Sequence, residues 1–228
     1  MLETTTGRRT VVRTGLILAG AMVVPGAVAT AQRLTQAALK PASQPPLPMV
    51  AARPLTSPRV VRPELFRRAL AALDAHRGRV ADHDRIAIAD FAAASAEKRL
   101  HLVDLANGTS QSFLVAHGAG SDPSHTGWLH RFSNDAGSNA SCEGAFVTQD
   151  YYVGKHGRSQ RLVGLDATND NALARAIVVH AAWYSNPDMI RTHGMLGRSQ
   201  GCFAVGESDL DEVFRRLGSG RMIYAAKV

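Results

Sequence analysis

Cys202 and His180 are the residues whose types and surroundings point to chemistry. Cys202 ends the run Leu196-Gly197-Arg198-Ser199-Gln200-Gly201-Cys202, and His180 closes the apolar run Ala176-Ile177-Val178-Val179. A cysteine in a small-residue turn, with a histidine at the end of a strand, is the usual pattern of a thiol nucleophile and its base. Free cysteine has a pKa of about 8.5, so little of it is thiolate at neutral pH unless an imidazole or backbone dipoles help. The amides of Gly201 and Cys202 are candidates to face a developing oxyanion. The pattern implies covalent acyl transfer through cysteine. His193 is an alternative base by its nearness in sequence, and His117, at the end of Val115-Ala116, either lines the cleft or is structural.

The elements that must hold this pair can be read in outline. Pro63 is suited to the first position of a helix running to about His76, with Leu65, Phe66, Leu70 and Leu73 on one face and Gly78 as a stop. The period then changes to two. Ile86 and Ile88 alternate with alanines, and Leu100 to Val103 leads into Asn107-Gly108 and Ser112 to Ala116, a β-hairpin pattern. Further strands are expected at Gly144–Thr148, Arg161–Leu165, Arg175–His180 and Arg221–Ala226. A helix is expected over Ser208–Leu217, with Ser208 as N-cap and Gly218 as stop. Many short strands with flanking helices predict a mainly-β fold of the sandwich or barrel kind. Trp128 and Trp183 are expected in the core, Trp183-Tyr184 also being placed to edge a groove. His125, His130 and His156 are expected in loops, and Cys142 as a buried turn thiol.

Composition bounds the setting. Arg8, Arg9 and Arg13 precede an apolar stretch from Gly15 to Val24 and an Ala29-Thr30-Ala31 site, the pattern of an export signal over 1–31 with twin-arginine character. Six prolines between Pro41 and Pro58 make 32–62 a linker, leaving 63–228 as the folded domain. The expected location is the periplasm or cell wall, with no stable membrane span after processing. Formal net charge is +7, and removal of 1–31 takes away three arginines and one glutamate to leave +5. The basic residues are scattered, which argues against nucleic acid as partner and suits an anionic wall or membrane surface. No H-E-x-x-H or paired-cysteine spacing is present, so no metal or other cofactor is expected. Two cysteines in an exported chain leave open a Cys142–Cys202 disulfide, and with it a non-catalytic wall-binding module.

From about Ile86 to Ala226 the chain resembles the murein L,D-transpeptidase catalytic domain, in the branch whose turn reads Gly-Arg-Ser-x-Gly-Cys. The matching pieces include Ser95-x-Glu97-Lys98-Arg99-Leu100, Val115-Ala116-His117-Gly118, Gly154-Lys155-His156-Gly157, Arg175-Ala176-Ile177-Val178-x-His180 and Gly197-Arg198-Ser199-Gln200-Gly201-Cys202. The resemblance implies a cysteine enzyme of peptidoglycan stem peptides. Cys202 would attack a tetrapeptide stem with loss of D-alanine, and an amine would resolve the thioester. His180 would be the base, Gly201 and Cys202 the oxyanion donors, and Arg198 and Ser199 would lie beside the substrate; Gln200, His117 and Tyr184 are further candidate substrate contacts by their place in the sequence. Use of water instead would make it an L,D-carboxypeptidase or endopeptidase. Two positions depart from the pattern. Gln200 stands where the common turn has histidine and this branch an aromatic residue, and Ala181 stands where glycine usually follows the histidine.

Overall fold

The computed structural model describes residues 60–228. The expected leader and nearly all of the expected linker lie outside them. Val61 and Arg62, assigned to the linker by composition, belong to the packed domain. Val61 is buried, and Arg62 donates through Nε to Asp90 at 2.8 Å.

Helix α1 spans Pro63–Ala75, opened by its proline and supported on its outer face by Glu64 between Arg67 and Arg68. Leu65, Phe66, Ala69 and Leu73 are its buried stripe. Eight strands follow: β1 Arg85–Asp90, β2 Leu100–Asp104, β3 Ser110–Phe113, β4 Gly144–Gly154, β5 Gly157–Gly164, β6 Val178–Ala181, β7 Phe203–Val205 and β8 Met222–Ala226. Helix α2 (Pro187–His193) lies between β6 and β7, and α3 (Leu210–Leu217) between β7 and β8. The fold is mainly β with flanking helices. Its strands join in one mixed sheet of order β3-β2-β1-β8-β4-β5-β6-β7. No helix of the described residues is long and apolar enough to cross a membrane.

Strand β1 shows why both faces carry a core. Its sequence Ile86-Ala87-Ile88-Ala89 alternates large and small side chains, and successive side chains point to opposite faces. Ile86 and Ile88 pack with Leu65, Phe66 and Leu73 of α1. Ala87 and Ala89 share the other face with Leu210, Val213 and Phe214 of α3. That second core also holds Phe91, Phe146 and Phe203; the Phe146 and Phe203 ring centroids are 5.4 Å apart, edge to face.

Several local details differ from the sequence reading, among them β4 and β5, which run beyond the expected Gly144–Thr148 and Arg161–Leu165 to meet at Gly154 and Gly157. The residue capping α3 is Asp209, not Ser208, and it makes no side-chain cap bond. Strand β6 starts only at Val178, because Ala176 takes a left-handed φ of 53° that ends any strand there. Trp128 and Trp183 are not core residues; they are 47% and 66% exposed, the aromatic core being built from phenylalanines. The Asn107-Gly108 hairpin is as expected, with Asp104 Oδ1 accepting from the Ala106 and Asn107 amides.

Candidate active site

The parallel pairing of β6 with β7 brings Cys202 and His180 together. Val179 pairs with Phe203 and His180 with Ala204, which puts Cys202, the residue before Phe203, beside Val178. Val178 and His180 are two apart on one strand, so their side chains share a face, and Cys202 meets that face from a strand about 4.8 Å away. Both line one cleft of about 350 Å³. Phe203 anchors the next residue in the core between Phe91 and Phe146.

His180 is buried, and its Nδ1 lies 2.8 Å from the Ala181 carbonyl. Nδ1 must therefore carry the proton, which leaves the Nε2 lone pair as the acceptor. Burial lowers the His180 pKa below its ordinary 6.5; the Ala181 bond opposes this, and His156 and Lys155 add to it. Burial raises the half-buried Cys202 thiol, with the Val178 amide, Lys155 and Arg175 pulling the other way. The thiol donates to the Ala176 carbonyl at 3.6 Å. Both shifts favour a neutral thiol beside a neutral imidazole at rest. Such a pair can act by general-base transfer as the sulfur attacks.

The turn before Cys202 is held by its own serine. Ser199 Oγ donates to the Cys202 carbonyl at 2.8 Å and accepts from the Gly201 amide at 3.1 Å. This corrects two expectations. The Gly201 N–H is spent inside the turn and does not face an oxyanion, while the Cys202 N–H bonds to no described residue. The Ser199 hydroxyl is likewise committed to the turn, although the residue borders the cleft. Gly201 contributes backbone shape: its φ is +112°, and a Cβ there would meet the Ala140 carbonyl at 2.6 Å.

Of the other expected contacts, Tyr184, Arg198 and Gln200 line the cleft with the pair. Burial, and then the neighbouring Cys202, pushes the Tyr184 phenol up to about 12, so it stays a neutral donor. Arg198 donates to the Asp122 and Pro123 carbonyls. Gln200 is exposed and also borders an adjoining hollow with Asn139 and Asn171.

His117, a candidate substrate contact, takes the structural alternative: it is buried under the turn and does not line the cleft. The wholly buried Arg99 donates to His117 Nδ1 at 2.8 Å, and His117 Nε2 faces Asp122 Oδ2 at 3.4 Å. Burial and the Arg99 charge lower His117 to about 4, with Asp122 opposing. Burial lowers Arg99 to about 9, with Asp90, Glu97 and Asp122 opposing. Burial works to raise Asp122, but hydrogen bonds from Thr126, Gly127 and His117 win and hold it low. This centre reaches the turn through the backbone: the Ser199 amide donates to the His117 carbonyl at 2.9 Å, and Arg198 donates to that of Asp122.

Sequence reasoning missed His156, Lys155, Tyr152 and Arg175, all of which line the cleft. His156, expected as a loop residue, stacks on His180 with ring centroids 4.3 Å apart and planes at 23°. Arg175 donates to the Ser133 carbonyl at 2.8 Å, to Cys142 Sγ at 2.7 Å and to the Ala140 carbonyl at 2.6 Å. The signal lay in polar residues inside the quoted runs Gly154–Gly157 and Arg175–His180. Cys142 is buried as expected, and both cysteines are free thiols. His193 sits at the exposed end of α2, outside the cleft.

The family model described as the L,D-transpeptidase catalytic domain matches residues 58–226. The chain belongs to that family. A search of curated proteins gives no match. Similar solved structures include an LD transpeptidase in complex with imipenem, at 13% identity over 63% of this chain and 59% of that one, TM-score 0.39. An L,D-transpeptidase from Mycobacterium smegmatis is 11% identical over 63% and 58%, TM-score 0.38. L,D-transpeptidase 3 from Mycobacterium tuberculosis, with a faropenem-derived adduct, is 9% identical over 63% and 60%, TM-score 0.40. The chain spans about three-fifths of the length of these L,D-transpeptidases.

Proposed function

We propose that the protein is an exported cysteine L,D-transpeptidase that remodels peptidoglycan. Cys202 Sγ attacks the carbonyl of the diamino acid in a tetrapeptide stem as His180 Nε2 takes the thiol proton. The Cys202 amide donates to the oxyanion, and Tyr184 and Arg198 lie along the bound peptide. Collapse of the tetrahedral intermediate breaks the bond to D-alanine, whose amine leaves with the proton from His180. A thioester remains. An amine of a neighbouring stem then attacks it, His180 removes the amine's proton, and the thiolate leaves and is reprotonated.

The observation that carries this reading is the β6–β7 register, which seats a free thiol and an imidazole of fixed tautomer on one cleft in a chain of this family. The basic and apolar pattern of 1–31 supports export, which would deliver the enzyme to its substrate. Intact-mass analysis of wild type and Cys202→Ala with tetrapeptide muropeptides tests it. A wild-type adduct formed with loss of D-alanine, absent from the variant, together with cross-linked dimer, is the expected outcome. D-alanine release without dimer would reassign the enzyme as a carboxypeptidase, and no adduct on folded protein would end the cysteine mechanism.

A further inference from the structure

The hairpin joining β4 to β5 has only Lys155 and His156 in its loop, between the paired Gly154 and Gly157. Gly157 has a φ of +73°, the left-handed glycine that lets such a loop rejoin its strand. The hairpin continues onto β6, where Ser159 pairs with His180. The tip therefore folds back over the histidine that β5 itself supports. His156, itself exposed at the loop tip, lies face to face with His180, the ring centroids 4.3 Å apart.

We propose that His156 is a positioning residue for His180, a second imidazole that fixes the plane of the first so that Nε2 stays presented to the cleft that Cys202 also lines. This rests on His180 being the base. The Ala181 carbonyl holds one ring atom, Nδ1, but a single hydrogen bond leaves the ring free to rock about it. A flat ring stacked on its face removes that freedom, and no other aromatic ring stacks on His180 among the described residues. The turn itself offers no such ring, since Gln200 precedes Gly201-Cys202.

The stack has an electrostatic consequence. The titratable and charged groups that line the cleft with His180 are Lys155 and His156 from the hairpin tip, Tyr152 from β4, Arg175 before β6, Tyr184 after it, and Arg198 and Cys202 from the turn. None is a carboxylate. A proton on His156 or the charge of Lys155 therefore discourages a proton on His180 and keeps it available as a base in mild acid.

The test uses the full chain and two readouts that need no peptidoglycan: NMR titration of the labelled imidazoles, and the pH dependence of Cys202 alkylation by iodoacetamide. Cys142 is buried, so alkylation reports Cys202. In His156→Ala the Nδ1–H tautomer of His180 should lose its preference, its midpoint should rise toward 6.5, and alkylation at pH 6 should slow roughly tenfold. His156→Phe keeps a flat ring and should restore the tautomer and most of the rate. Gly157→Ala meets no atom within 4 Å and strains only the loop backbone, so it should displace the tip and fall between the two. Wild-type tautomer and alkylation in both His156→Ala and Gly157→Ala would overturn the proposal, as would a Phe variant no better than Ala. Failure of acyl transfer in wild type, with these imidazole effects present, would instead count against the transpeptidase reading alone.

Discussion

His117 and His180 are both 1% exposed and both lowered below 6.5 by burial, yet they sit in opposite situations. His117 has both ring nitrogens committed, one to Arg99 and one to Asp122. His180 has one committed, and the other faces a cleft beside a thiol. Burial alone therefore does not tell the two apart; what separates them is a ring nitrogen left without a partner on a cavity. The two regions also divide labour. The Arg99–His117–Asp122 centre sits beneath the turn and bonds to its backbone, while the β6 edge and the hairpin tip furnish groups that line the cleft.

Four perturbations would sharpen or break that division. Cys202→Ala should abolish thioester formation outright while leaving the circular dichroism and melting curve of wild type. His180→Gln should lower kcat by roughly 10²–10⁴ with little change in stability. In wild type the acid limb of kcat/KM should lie below 6.5, with activity lost as falling pH protonates the lowered imidazole, and this limb should vanish in the variant. Arg99→Met should act on the other region. It strands the Val115 and Ala93 carbonyls and His117 Nδ1, so urea unfolding should show a loss of about 3 kcal/mol. The remaining folded fraction should keep the pH limb of wild type. Ser199→Ala, which removes the side-chain bonds inside the turn, should cost about 1 kcal/mol and reduce kcat more than it raises KM. If Arg99→Met displaced the acid limb, or His180→Gln unfolded the protein, the two regions would not be separable as described.

Much of this was legible in the chain because local rules and tertiary needs agreed. Ile86-Ala87-Ile88-Ala89 reads as a strand and is one, and Asn107-Gly108 reads as a hairpin and closes one. Pro63 with Leu65, Phe66, Leu70 and Leu73 on one face reads as an amphipathic helix, and the helix forms with Ala69 rather than Leu70 fully buried. Cys202 and His180 stood out because of their residue types. Other features depend on pairing between distant segments. Strand β7 is three residues long and exists through its ladder with β6, and nothing in Phe203-Ala204-Val205 alone distinguishes it from the turn before it. His156 joins the site because β5 pairs with β6, a relation that the spacing of residues 156 and 180 does not encode. The inward or outward placement of His117, Trp128 and Trp183 was equally hidden, since each depends on what occupies the opposite face.

Phe203 follows Cys202 directly and is packed between Phe91, from the segment after β1, and Phe146 of β4. A residue so placed cannot swing out through fraying or loop motion, since its release would empty the centre of the core. Its amide should therefore exchange with deuterated solvent only when the whole domain opens, whereas the amides of Lys155 and His156 should exchange orders of magnitude sooner. The Cys202 thiol would then be as long-lived in its geometry as the native state itself, so agents that erode global stability should abolish the proposed activity in step with unfolding.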